Sequence, residues 1–134
     1  MQTTKRKWVW VNGCFDVLHR GHIELFLYAA RLGVCLIVGI DSDRRVKESK
    51  GPTRPIQSQE DRKCLLENLQ MIDEVVIFDS DEELRANLVK YNIDCLVVGG
   101  DWKGKQIVGQ ELVKEVFYFD RIPDYSTTKI IGDK

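Results

Sequence analysis

The chain has 134 residues, 43% hydrophobic and 31% charged, with a formal net charge of −1. That length leaves room for one core but not two, so a single domain over residues 1–134 is expected. The balanced charge supplies no polycationic surface for nucleic acid. No apolar run reaches the length of a membrane span and the N-terminus lacks a signal-peptide core, so the expectation is a cytoplasmic protein without a membrane partner.

Taken in order, Lys7–Asn12 reads as a short buried strand through Trp8-Val9-Trp10-Val11. Apolar residues at helical spacing predict a helix from Gly21 to Leu32, closed by Gly33 as its C-cap. Val34–Ile40 is a continuous apolar run, the pattern of a parallel strand buried on both faces. Asp41–Gln57 reads as a polar loop broken by Gly51, Pro52 and Pro55. Ser58 caps a helix running to Leu69, and Glu74–Phe78 is a third strand. Ser80 caps the next helix, with Glu83 completing a capping box, and that helix ends near Tyr91. Asp94–Val98 and Glu115–Phe119 are the last two strands, and Ser126-Thr127-Thr128 caps a short final helix. Strand alternating with helix predicts an α/β fold: one open five-stranded parallel sheet with helices on both faces. Ligands of such sheets sit beyond the carboxyl ends of the strands.

The four cysteines, Cys14, Cys35, Cys64 and Cys95, are widely spaced and form no C-x-x-C. They have no ligand-like pairing with the two histidines, which argues against zinc and for reduced thiols.

The candidate chemistry gathers at strand exits. Gly13-Cys14-Phe15-Asp16-Val17-Leu18-His19-Arg20-Gly21-His22 carries the chain from a strand into a helix through two glycines. Such a turn aims backbone N–H groups and the positive end of a helix dipole at one point, an anion site. His19 and His22, three residues apart, can both face it and donate to phosphoryl oxygens as charge develops. Asp16 suits either a turn carboxylate or an Mg²⁺ ligand, since a triphosphate-bound magnesium takes only one or two protein carboxylates. Lys47, Lys50 and Arg62 follow the second strand, Asp101 and Trp102 lie in a glycine loop after the fourth, and Arg121 to Thr128 follows the fifth.

The G-C-F-D-V-L-H-R-G-H stretch resembles the G-x-F-D-x-x-H-x-G-H signature of the cytidylyltransferase-like nucleotidyltransferases, and the resemblance runs from Val9 to Ile131. It implies a Rossmann-like domain that joins a nucleoside triphosphate to a small phosphorylated substrate and releases pyrophosphate, with Mg²⁺ as cofactor and a homodimer as assembly. Carried onto this chain, it implies catalysis by His19, His22, Lys50 and Arg121. It implies nucleotide contacts from Gly13, Cys14, Phe15, Asp16, His19, Gly21, His22, Arg62, Asp101, Trp102, Arg121, Ser126, Thr127 and Thr128, with Asp16 on the metal. Lys47 and Lys50 are the candidates for the acceptor phosphate, and the sequence does not rank them.

Two subgroups compete. Arg121-x-x-x-x-Ser126 and Asp101-Trp102-x-Gly104-Lys105 resemble glycerol-3-phosphate cytidylyltransferase, which makes a CDP-activated precursor for cell-envelope polymers. Lys50-Gly51-x-x-Arg54-Pro55, Gly99-Gly100-Asp101 and Ile107-Val108-Gly109 resemble the heptose-1-phosphate adenylyltransferases. Weight placed on Arg121 puts the CTP reading first and the ATP reading second. A non-catalytic nucleotide-binding module is the alternative of another class, and the intact histidine pair argues against it. Pro123-Asp124 departs from the family pattern, which has a glycine in that loop.

Overall fold

The computed structural model describes residues 6–120. Arg121, Ser126, Thr127, Thr128 and the expected final helix lie outside the described residues.

Five strands, β1 (Trp8–Gly13), β2 (Cys35–Asp41), β3 (Glu74–Phe78), β4 (Cys95–Gly99) and β5 (Glu115–Phe119), pair in the order β3-β2-β1-β4-β5. All four pairings are parallel. The helices are α1 (Arg20–Ala30), α2 (Asp43–Lys50), α3 (Gln59–Glu67) and α4 (Asp81–Lys90). The architecture is the expected Rossmann-like α/β sheet.

Alternation within the strands builds two cores. Val9 and Val11 of β1 pack with Phe26 and Ala29 of α1 and Leu66 of α3 on one face. Trp10 turns to the other face and packs with Ile37, Phe78, and Leu84 and Leu88 of α4. Each fully buried aliphatic or aromatic side chain contributes roughly 1.5–3 kcal/mol by leaving water. Gly39 of β2 is required by this packing, because a Cβ there would sit 2.3 Å from Cζ2 of Trp10.

The chain steps outward from β1 to β2 to β3, then crosses back to lay β4 on the other side of β1. The order therefore reverses at the β1–β4 seam, the place where parallel sheets open a ligand crevice.

Three details differ from the sequence expectation. The segment read as a polar loop contains α2. It is started by Ser42, whose Oγ accepts from Arg45 N at 3.3 Å, and it is anchored by the single buried residue Val46. One apolar residue in a helix of eight leaves no periodic signal to read. Gly33 is not a left-handed cap: α1 ends at Arg31 in right-handed geometry, and Gly33 instead lets Lys7 O approach, where a Cβ would clash at 2.3 Å. Ser80 does cap α4 through Glu83 N (3.1 Å), but the Glu83 carboxylate accepts from Asp79 N (2.7 Å), one residue before the box position.

Candidate active site

The turn from β1 into α1 is strained. Phe15 and Val17 both adopt the left-handed region, at φ 51° and 58°, a cost on the order of 1–3 kcal/mol each for non-glycine residues. Packing and hydrogen bonds hold it. The buried Phe15 ring meets Phe26 at 5.0 Å and stands edge-on to His22 at 5.4 Å. Its side chain therefore supports the turn.

His19 is the N-cap of α1. Its Nδ1 accepts from Gly21 N at 3.0 Å, and His22 Nδ1 accepts from His19 N at 3.2 Å. The two rings stack with centroids 3.8 Å apart and planes 23° from parallel. A nitrogen that accepts from a backbone N–H carries no proton, so each neutral ring bears its hydrogen on Nε2. Both rings stand at the start of α1, the positive end of its dipole. The expected gathering of both histidines is present, but the Gly21 N–H is taken by His19.

Asp16 was expected on a metal, and the geometry does not fit that role. It is 1% exposed. Its Oδ2 accepts from Ile56 N (2.6 Å) and Arg54 Nε (3.2 Å), and its Oδ1 from Gln57 N (2.9 Å). Val17 N returns a bond to Gln57 Oε1 at 3.1 Å. Asp16 thus fastens the α2–α3 loop to the strained turn. Among the described residues no group of three or more His, Cys, Asp or Glu side chains could hold a metal ion.

Arg62 is corrected more firmly. Its side chain is fully buried, and the guanidinium donates to Cys14 O and Asp41 O (both 2.8 Å), Asp43 Oδ1 (2.7 Å) and Gln57 O (3.1 Å). With four donors committed to the protein, it ties the exits of β1 and β2 to α3 and does not reach a triphosphate. A rigid fork with many donors suits this tie as no lysine would.

Lys47 and Lys50 are both exposed on α2, three residues apart. Burial pushes the Cys14 thiol up, and the charge of Lys50 opposes that shift.

A cleft of about 420 Å³ opens beyond the β1–β4 seam. Gly13, Gly99 and Trp102 line it, and Trp102 is 45% exposed. Close packing fixes the glycine loop: a Cβ on Gly99 would meet Asp101 Oδ1 at 2.6 Å, and one on Gly100 would meet Asp120 Oδ1 at 2.6 Å. Asn12, Asp41, Arg45 and Asp81 also line the cleft. The sequence reading left them out as site residues, although Asn12 and Asp41 stand at strand exits. Arg45 stands on α2, which was not foreseen, and Asp81 opens α4 directly after its Ser80 cap.

A parallel sheet whose first strand feeds a histidine-capped helix, with a cleft at the switch point, defines a nucleotidyltransferase domain. The chain belongs to the cytidylyltransferase-like family, matched over residues 10–133. It is 49% identical over 130 residues to the bifunctional protein HldE of Campylobacter concisus, covering 97% of this chain and 27% of that protein. It is 46% identical over 127 residues to HldE of Wolinella succinogenes, covering 94% and 26%. The chain thus spans about a quarter of the length of these curated relatives. Among solved structures, the lipopolysaccharide core biosynthesis protein from Thermoplasma volcanium superposes with a TM-score of 0.70 at 23% identity, over 86% of this chain and 98% of that one. That likeness concerns the fold.

Proposed function

We propose that the chain is an adenylyltransferase acting on a sugar 1-phosphate of the heptose type, releasing pyrophosphate. The observation that carries the reaction class is the histidine pair, whose rings stack at the start of α1 with each Nδ1 accepting a backbone N–H. The choice of ATP over CTP is supported by the identity to HldE proteins. It is supported also by Lys50-Gly51-x-x-Arg54-Pro55, whose Arg54 is built into the turn through Asp16. This reverses the ranking that weight on Arg121 gave.

In the proposed reaction an oxygen of the acceptor phosphate attacks the α-phosphorus of ATP. The new P–O bond forms as the bond from the α-phosphorus to the bridging oxygen breaks, and pyrophosphate leaves with that electron pair. No proton need be removed from a nucleophile that is already anionic. His19 and His22 donate to the oxygens on which negative charge grows, and Lys50 holds the incoming phosphate. Positioning and charge stabilisation supply the acceleration. Mg²⁺ enters as part of the nucleotide substrate, in keeping with an Asp16 already committed to the protein.

The test is pyrophosphate release with ATP and CTP crossed against heptose-1-phosphate and glycerol-3-phosphate. Release confined to ATP with the sugar phosphate supports the proposal. Release confined to CTP with glycerol-3-phosphate restores the cytidylyl reading.

A further inference from the structure

We propose that Asp41, Arg45 and Asp81 form the wall that reads the hydroxyl groups of the acceptor sugar, a role that rests on the sugar-phosphate reading above. Arg45 lies over the Phe78 ring at 5.1 Å. From there its Nε reaches Asp41 Oδ1 at 3.0 Å and its Nη2 reaches Asp81 Oδ1 at 3.2 Å. The three side chains are 26%, 23% and 51% exposed, so the network is fixed on one side and open to the cleft on the other. Asn12 extends it: its Oδ1 accepts from Trp10 Nε1 at 2.9 Å. An indole N–H only donates, so the amide orientation is settled and the Asn12 NH₂ is left as a donor beside the carboxylates.

Placement assigns this wall to the acceptor. In-line transfer puts the attacking and leaving oxygens on opposite sides of the α-phosphorus. The histidines stand at the start of α1, which packs on the Val9–Val11 face of the sheet. Asp81 begins α4, which packs on the opposite, Trp10 face. With the leaving group toward the start of α1, the acceptor enters on the side of Asp41, Arg45 and Asp81, where the cleft opens. Helix α2 carries Arg45 near its start and Lys50 at its end, about 7.5 Å apart along the axis. Carboxylates that accept beside an amide that donates suit vicinal hydroxyls, each of which does both.

The experiment is steady-state kinetics of the wild type, Asp81→Asn and Asp41→Asn with ATP, varying heptose-1-phosphate, glycerol-3-phosphate and ATP in turn, alongside thermal melts. The expected result is a rise of about tenfold or more in KM for heptose-1-phosphate in both variants, with KM for ATP unchanged. Asp81, half exposed at the start of α4, can be replaced without emptying a core position, so it keeps the test open if Asp41→Asn folds poorly. Unchanged acceptor KM in a folded Asp81→Asn, or a rise in KM for ATP instead, overturns the wall while leaving the adenylyl reading intact. A wild type that does not turn over heptose-1-phosphate with ATP overturns both.

Discussion

His22 Nδ1 accepts the backbone N–H of His19 while the two imidazole rings stack 3.8 Å apart. The contact joins two jobs in one residue, because the same ring caps a helix and aims a donor. Asparagine separates them, since its Oδ1 can replace Nδ1 as acceptor but nothing replaces Nε2–H. His22→Asn is expected to keep the wild-type melting temperature and to lose on the order of 10²–10³-fold in kcat. His22→Ala is expected to lose the same activity and, in addition, about 1 kcal/mol of stability from the missing cap. Full turnover in His22→Asn removes the histidine from the chemistry.

Asp16 gives a prediction that separates a latch from a metal ligand. Asp16→Ala leaves the Arg54 charge and the Ile56 and Gln57 N–H groups without their acceptor, a loss of about 3–5 kcal/mol in urea unfolding. In the milder Asp16→Asn, the Mg²⁺ concentration needed for half-maximal rate is expected to stay at the wild-type value. An increase on the order of tenfold or more returns Asp16 to the metal.

Arg62 is expected to behave as a structural residue. Arg62→Lys keeps one charge but cannot satisfy the carbonyls of Cys14, Asp41 and Gln57 together. It should lower unfolding free energy by about 2–4 kcal/mol while KM for the nucleotide in the folded fraction is little changed. A stable variant with a selectively raised nucleotide KM contradicts this placement.

Alkaline stability is set partly by Cys35. Burial first, and then the neighbouring Asp73 carboxylate, push its thiol from 9.0 to about 11. The folded state prefers the protonated thiol, so its contribution is intact below pH 9 and is lost as pH rises from about 9 to about 11. Cys35→Ala is expected to flatten the fall in melting temperature across that window. An unchanged slope assigns the loss to other groups, among them Tyr91, which Glu74 pushes up to about 12.

The strands were legible because each is written as a short uninterrupted apolar run, and β3 and β5 fall at Glu74–Phe78 and Glu115–Phe119 as read. The histidine pair was legible because its spacing coincides with the start of a helix. What escaped is held by tertiary bonds. Helix α2 has one apolar anchor, and its stability comes from the Ser42 cap and from pairs such as Arg44–Glu48 at 2.7 Å. Asp16 and Arg62 look in sequence like a metal ligand and a phosphate cation. Only the fold shows that backbone N–H groups and carbonyls from distant loops already satisfy them.

The most direct test of the central claim follows the α-phosphorus itself. The protein is incubated with heptose-1-phosphate and ATP labelled at the α-phosphate, and the labelled product and pyrophosphate are separated. Label in a nucleotide sugar with unlabelled pyrophosphate, formed on the order of 10²–10³-fold more slowly in His19→Asn and in His22→Asn, is the predicted result. Label that stays in ADP with release of the γ-phosphate, or transfer at the wild-type rate in both variants, contradicts the account.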